Sequence, residues 1–430
     1  MKRNFQTIKF RMKITELFFF IILINFFLIY ENLAAQKKSE VKLLNADISF
    51  GSVIKNETVR NFEGNVRFEN EGSLLFADKV AKYELQGFLE AVSKVKLIDK
   101  GVTLTSEYMK YFPDQKFSQF QNKVHLISES SELFSNFGTY DMTSQEAVFW
   151  GKTKLLDKDL NEIYSDTLFH DRKTAHSILK ENVRIISPKD RTVITGDYSE
   201  YFANDKFSFV ERNPFFYQLP DSGKKDTFFI IGNRMESFQG EQRKYSVFGN
   251  VRVLNGDMSA KSDTLIILRN ENLMKLRKNP VVWYGKNQIS GDSINIQFTG
   301  NQLKKIDCFG SAMTVSSIDS FPNKYNQLKG KNITYLFENR LITRIDVFET
   351  SESLYHMDED GEPSGANLAS GDFISIFFKE GEVDKIKVSS GVEGKFMPES
   401  MITKDPVYLR GFFWASKERP VLSEMRNYVR

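Results

Sequence analysis

Acidic and amide side chains recur along this sequence directly after a small residue. The pairs are Ala77-Asp78, Ser106-Glu107, Ser135-Asn136, Ser165-Asp166, Gly196-Asp197, Gly232-Asn233, Ser262-Asp263, Gly291-Asp292, Lys331-Asn332 (with Lys in place of the small residue) and Gly371-Asp372. Repeated carboxylates of this kind are suited to binding metal ions or to acid–base catalysis. They are therefore the first candidates for chemistry in the chain.

The number of these pairs favours a structural role over a chemical one. An active site or a metal site needs one constellation of residues, whereas here the same pair is copied along the chain. Short polar side chains hydrogen-bond nearby backbone groups where a chain bends. We therefore interpret the pairs as corners at which long strands bend.

Other motifs for catalysis or metal binding are absent from the sequence. There is no nucleophile elbow, phosphate-binding loop, dinucleotide fingerprint or Cys/His set with zinc spacing. The chain has four histidines and one cysteine, Cys308. The sequence thus predicts no catalytic residue, no metal ligand and no cofactor, and it excludes an intrachain disulfide.

The acidic pairs lie on repeated hairpins. From Phe62 to Tyr83 the sequence reads as a strand, a turn at Glu71-Gly72 and a second strand, with apolar and polar residues alternating. The motif Gly-Asn-Val-Arg at 64–67 returns at 249–252, which indicates an internal repeat. Short turns between successive strands favour an antiparallel meander over a parallel coil.

The charge of the chain is concentrated at its N-terminus. The formal net charge is +3, and the first 35 residues carry five Lys or Arg against two Glu. Removing these from totals of 59 basic and 56 acidic residues leaves 54 of each. A neutral remainder argues against a nucleic-acid partner, because such proteins need a basic face.

The N-terminal segment has the pattern of an export signal. Basic residues up to Lys13 precede an apolar run from Leu17 to Tyr30, and the small residues Ala34-Ala35 follow. The run is short for a membrane span, so the pattern favours a cleaved signal peptide over a retained anchor. We expect a signal peptide at residues 1–35 and a polar linker at 36–45.

Stacked hairpins bury one apolar face each, and that face is the candidate binding surface. We expect ten of its residues to bind lipid: Val66, Phe68, Leu74, Phe76, Val251, Val253, Ile266, Trp283, Ile294 and Ile296. Such residues can form a filled hydrophobic core without a ligand, or they can line an open slot that binds acyl chains. The sequence leaves both open.

The repeated Gly-Asn-Val and small-Asp-apolar strands, together with Gly371–Phe378 and Val383–Val388, resemble the OstA-like family. That family is related to LptA-type periplasmic lipopolysaccharide-transport proteins, and the resemblance covers about Ala46 to Pro398. It implies an all-β fold, an elongated stack of antiparallel strands forming a bent β-jellyroll. It also implies that lipid A lies in the interior, and that jellyrolls stack head to tail with copies of themselves and with transport components at the inner and outer membranes.

The length of the chain exceeds a single jellyroll of this family. We therefore expect two or more modules run together, with an N-terminal jellyroll module at residues 46–240 and a C-terminal one at 241–400, followed by a C-terminal tail at 401–430. The expected function is a non-enzymatic periplasmic carrier or bridge, with an outer-membrane association also open. The alternatives are a structural or adhesive envelope repeat protein and a polysaccharide-active β-solenoid enzyme.

Overall fold

The computed structural model describes residues 40–129, 131–158, 160–218, 228–300, 302–321, 323–402 and 407–428. Strands make up most of this part of the chain, so the predicted all-β fold is confirmed. The expected signal peptide at 1–35 lies outside the described residues. Within the described ranges, no helix has the length and apolar character needed to cross a membrane.

The strands are β1 (Lys42–Asn45), β2 (Ile48–Ile54), β3 (Glu57–Asn70), β4 (Ser73–Tyr83), β5 (Phe88–Asp99), β6 (Val102–Phe112), β7 (Phe117–Ile127), β8 (Ser131–Asp141), β9 (Glu146–Asp157), β10 (Glu162–Asp171), β11 (His176–Ser187), β12 (Thr192–Phe202), β13 (Phe207–Glu211), β14 (Phe215–Gln218), β15 (Phe228–Ile231), β16 (Arg234–Phe238), β17 (Lys244–Asn255), β18 (Met258–Leu268), β19 (Leu273–Arg277), β20 (Val281–Tyr284), β21 (Asn287–Ser290), β22 (Ser293–Thr299), β23 (Gln302–Ser317), β24 (Tyr325–Glu338), β25 (Leu341–Glu359), β26 (Glu362–Lys379), β27 (Glu382–Ser389) and β28 (Glu393–Pro398). Two short α-helices follow, α1 (Glu399–Ile402) and α2 (Leu422–Arg426). Single 3₁₀ turns lie at Pro113–Gln115, Arg269–Glu271 and Ser416–Glu418.

The strands pair antiparallel, mostly with the next strand in the chain, as expected for a meander; β13 and β19 instead pair with β16 and β22. The pairing of β3 with β4, for example, closes around Glu71-Gly72 with Asn70 opposite Ser73. The described part of the chain divides into two compact units, one from residues up to 100 together with 108–119, and the other from residues 101–107 together with those from 120 onwards. Pairing also continues across the predicted boundary at residue 240, where β16 pairs with β17; the division into modules at that point stays a prediction.

Each long strand is interrupted near its middle by a corner. Between β3 and β4 the register jumps from Glu63 opposite Lys79 to Val66 opposite Ala77. The two skipped residues of β3, at 64 and 65, have φ of 78° and 47°. Two successive residues in the left-handed region form a bulge that bends the strand away from its previous plane.

The acidic pairs lie at these corners, as predicted, opposite the bulge of the next strand. Asp78 accepts hydrogen bonds from Ser93 Oγ at 2.7 Å and from Lys94 Nζ at 3.4 Å, and these two residues have φ of 66° and 50°. The contact with Ser93, then the charge of Lys94, lowers the pKa of Asp78. In the same way Asp166 accepts from Asn182 Nδ2 at 2.6 Å.

The sequence predicted that the acidic side chains at the corners hydrogen-bond backbone groups, and the structure shows a different arrangement. The acidic side chains bond side chains of the bulge, and the backbone N–H of the acid bonds the carbonyl oxygens of the bulge. The N–H of Asp292 donates to Phe309 O at 3.0 Å and to Gly310 O at 2.9 Å. The pair predicted at Lys331-Asn332 is displaced by one residue, because Lys331 occupies the acid position and bonds Glu349 at 2.8 Å.

A further corner lies at Asp47, between β1 and β2. Its N–H donates to Glu63 O at 3.1 Å and to Gly64 O at 3.0 Å, and its side chain accepts from Asn65 Nδ2 at 3.0 Å. Ala46-Asp47 has the same sequence pattern as Ala77-Asp78. The signal for this corner was therefore present in the sequence.

The corners divide the strands of the second unit into two sheets. Sheet I contains β14, β15, β20, β21 and β28, and sheet II contains β13, β16, β19, β22 and β27; the longer strands join the two into one continuous hydrogen-bonded sheet. Longer strands contribute one half to each sheet, as β17 does by pairing with β15 after its corner and with β16 before it. Apolar side chains of both sheets pack as one core, which includes Ile230, Val253 and Val282 of sheet I and Leu265, Ile294 and Ile296 of sheet II.

The outer face of sheet I is covered by the C-terminal segment, residues 407–428. Met425 packs on Phe215 and Phe229, and Leu409 packs on Met313 and Met397. Sheet I is therefore buried on both faces where this segment lies.

The substitution Gly310→Ala should destabilise the fold through the corner. Gly310 has φ +70°, and a Cβ there would overlap the Asp292 carboxylate. We expect a loss of about 2 kcal/mol, since both strain and steric overlap contribute. Urea unfolding followed by circular dichroism measures it.

Gly361→Ala is the matched control. Gly361 has φ +85° but no atom within 4 Å of the added Cβ. Gly361→Ala should lose only the part of the unfolding free energy that comes from backbone strain at positive φ. Equal losses in the two variants would contradict the close contact at the corner.

Candidate functional site

Six of the ten predicted binding residues lie on buried inner positions. Val251, Val253, Ile294 and Ile296 belong to the core between sheets I and II. Val66 and Phe68, in the first unit, are exposed by only 1% and 3%. Their alternation with polar residues in the sequence was sufficient to predict that they lie on the inner face of the strands.

Leu74 and Phe76 point to the opposite face from Val66 and Phe68, contrary to the prediction. Phe76 pairs with Arg67 across the strands, and the Arg67 guanidinium lies 5.0 Å from the centre of its ring. The buried apolar residues in this half of β4 are instead Leu75 and Ala77. Four consecutive apolar residues hide the alternation, so the pairing with β3 decides which two point inward.

Ile266 and Trp283 are also on the outer side. The neighbours of Ile266, Leu265 and Ile267, contact the core, while Ile266 itself is half-buried. Trp283 packs with Val281 and Ala415 under the C-terminal segment. A strand that is covered on both faces reads as an unbroken apolar run, and its sequence does not show which side is the interior.

The inner space of the second unit opens into a cleft at the turns, on the side away from the corners. The cleft has a volume of about 420 Å³, within the usual range for small-molecule sites. Its apolar wall comes from both sheets and consists of Phe228, Met258, Ile267, Leu268, Leu273, Met274, Phe298 and Leu303.

Cationic side chains line the mouth of the cleft. Lys189 and Arg191 come from the β11–β12 turn, which ends sheet I, while Arg269 and Arg340 come from turns that end sheet II. Two acids, Asp190 and Asp257, are also present. Four cations against two anions at a partly enclosed mouth favour an anionic group there.

One point of the cleft is bridged by Tyr284. Its hydroxyl donates a hydrogen bond to the carbonyl oxygen of Arg340, which joins a turn of sheet I to a turn of sheet II. The ring of Tyr284 packs edge-on against Phe337 with centroids 5.0 Å apart. Burial, followed by the charge of Asp257, raises the pKa of Tyr284, so the hydroxyl stays a donor at neutral pH.

Behind the cleft the interior is filled. Tyr335 and Cys308 are fully buried, and Tyr335 shares a 2.6 Å hydrogen bond with Thr314. A Cβ added at Gly291 would lie 2.5 Å from Cys308 Sγ. Of the two interpretations left open by the sequence, the dry core therefore applies near the corners and the open space lies at the turns.

The described residues offer no group of three or more His, Cys, Asp or Glu side chains that could hold a metal ion. The recurrent acids are tied into corners, as at Asp78 and Asp166. Chemically, the cleft can take up an amphiphile, with an apolar body inside and an anionic group at the mouth. Sequence reasoning missed its cations because they lie on three turns that are far apart in the sequence, and only the fold brings residues 189 and 340 to one cleft.

The thiol of Cys308 reports whether the interior behind the cleft is closed. Burial, followed by the charge of Asp292, raises its pKa to about 12, and it is fully buried. We expect no reaction with Ellman's reagent at pH 8 in the native protein and full reaction in urea.

A thiol placed in the cleft is the control. The double variant Leu303→Cys/Cys308→Ala should react without denaturant, because Leu303 lines the cleft. Rapid reaction of native Cys308 would mean that the open space extends to the corners.

Comparison with known proteins gives matches along the first two-thirds of the chain. A family model described as "OstA-like protein" matches residues 38–208. A second model, described as "LptA/(LptD N-terminal domain) LPS transport protein", matches residues 162–302. A search of curated proteins finds no match.

Among solved structures, LptH of Pseudomonas aeruginosa is similar to part of the chain. It is described as the LptA homologous periplasmic component of the lipopolysaccharide transport device. The similarity has 13% sequence identity and a TM-score of 0.26, and it covers 33% of this chain and 95% of LptH.

Proposed function

We propose that this chain, which is similar to OstA-like and LptA-type lipopolysaccharide-transport proteins over residues 38–302, is a non-enzymatic periplasmic carrier. It binds the lipid A part of lipopolysaccharide and passes it towards the outer membrane. The observation that supports this most directly is the cleft, because it combines an apolar wall with cations at its mouth.

The apolar wall of the cleft suits an acyl chain. Burying a methylene group contributes about 0.8 kcal/mol. A chain of which half a dozen methylenes enter the cleft would gain roughly 5 kcal/mol, before the cost of immobilising it. That gain is large enough for capture and small enough for release to the next carrier.

The mouth of the cleft suits the anionic head of the same lipid. Lys189 and Arg269 lie on turns of opposite sheets, and both line the cleft. A phosphate held there would meet positive charge from two sides. Guanidinium and ammonium groups form charge-assisted hydrogen bonds with phosphate oxygens.

Strand addition is the proposed mode of contact with partner jellyrolls and with further copies of the chain. Ile48, Phe50 and Val53 of β2 are exposed by 57%, 48% and 74%, and β2 pairs with β3 on one side. An added strand would pair with the backbone of β2 and cover these side chains.

Photocrosslinking tests lipid carriage directly. A benzophenone amino acid at Leu303 or Phe298, which line the cleft, should give lipopolysaccharide adducts when the protein is expressed in a bacterium with an outer membrane. The same label at Phe137, which is 37% exposed and lies on β8, is the control and should give none. Folded protein without adducts at either cleft position would reject carriage and favour the structural or adhesive alternative.

Charge reversal tests the mouth of the cleft. Lys189→Glu combined with Arg269→Glu should weaken binding of lipopolysaccharide roughly three- to tenfold, with the effect shrinking at high salt. Lys152→Glu combined with Lys180→Glu makes the same change of charge at exposed positions outside the cleft. Titration with a fluorescent lipopolysaccharide measures both pairs, and equal weakening would mean that only net charge matters.

A further inference from the structure

The C-terminal segment is attached to sheet I by apolar contacts along its whole described length. Leu409, Phe412 and Trp414 pack in one cluster with residues of β23–β26 and β28. Ala415 packs with Trp283, and Met425, fully buried, packs near the ends of β14 and β15. The segment thus crosses the sheet against the order of its strands.

Two buried glutamines fix the register of the segment. The side chain of Gln288 accepts from Ala415 N–H at 2.7 Å and donates to Phe413 O at 2.8 Å. The side chain of Gln327 accepts from Leu409 N–H at 2.8 Å. A buried amide that is satisfied in this way holds the backbone at one position, because any slip leaves it unpaired.

Arg419 connects the segment to the turns of sheet I. Its Nη1 donates to Gly285 O at 2.8 Å, its Nη2 to Asp257 O at 3.3 Å, and its Nε to Ser259 Oγ at 3.1 Å. Ion pairs flank this fork, between Glu418 and Lys261 and between Glu424 and Arg252. One guanidinium therefore joins the β17–β18 turn to the β20–β21 turn.

Both turns held by Arg419 belong to the mouth of the cleft. Asp257 and Tyr284 line it, and Gly285 follows Tyr284 in the chain. The Tyr284 hydroxyl reaches the carbonyl oxygen of Arg340 on the opposite sheet. Arg419, on the outer face of sheet I, is therefore connected through Gly285 and Tyr284 to Arg340 on the sheet II side of the cleft.

We propose that Arg419 is a positioning residue for the cleft. It fixes the turn that carries Tyr284, so that Tyr284 bridges the mouth and limits how far an acyl chain can extend past it. This inference rests on the proposed function, since it concerns how the same cleft retains its lipid. The C-terminal segment therefore shapes the mouth of the cleft, although none of its residues lines the cleft.

The test compares Arg419→Ala with Lys417→Ala, an exposed neighbour in the same segment. With Arg419→Ala, amide exchange should rise in residues 255–258 and 284–286, and a fluorescent lipopolysaccharide should dissociate about tenfold faster. Lys417→Ala should match the wild type in both measurements. Arg419→Lys should behave as Arg419→Ala does, because an ammonium group cannot reach three acceptors in a fork.

Tyr284→Phe provides a variant that keeps the ring and the segment intact. It should speed dissociation as Arg419→Ala does while leaving amide exchange at 255–258 unchanged. Faster exchange in Arg419→Ala with unchanged dissociation would overturn the proposed role of Arg419 and leave lipid carriage standing. A wild-type chain that takes up no lipopolysaccharide would overturn both proposals.

Discussion

The rest of the fold depends on one repeated contact, in which an acidic residue on one strand hydrogen-bonds a bulge of two positive-φ residues on the next strand. Each residue held at positive φ costs roughly 1 kcal/mol. Hydrogen bonds such as that of Asp78 with Ser93, at 2.7 Å, offset this cost. Because this contact recurs from strand to strand, the long strands of the second unit, such as β17, bend at matching positions and contribute one half to each sheet.

This bend also decides where the interior is filled and where it is open. Near the corner the two halves of a strand are close, and Gly291 leaves only enough room for Cys308. Away from the corner the halves diverge until they end in turns, where the cleft lies. Polar turn residues are needed at such ends in any case, so the divergence places cations around an apolar space.

The C-terminal segment adds a second buried face to the same sheet. It covers Phe215, Phe229 and Trp283, which would otherwise be exposed on the outside of sheet I. Its contacts reach the turns that border the cleft through Arg419. The geometry of the mouth therefore depends on residues that are more than a hundred positions away in the chain.

The sequence by itself determined the strands, their antiparallel order and most of the corners, since these follow from local alternation and from small-acid pairs such as Gly291-Asp292. It also placed Val66, Phe68, Ile294 and Ile296 correctly, because polar residues separate them. Only the tertiary structure decided the face of Leu74, Phe76, Ile266 and Trp283, where consecutive apolar residues remove the alternation. It alone brought Lys189, Arg269 and Arg340 to one mouth, because that proximity depends on how strands distant in sequence stack.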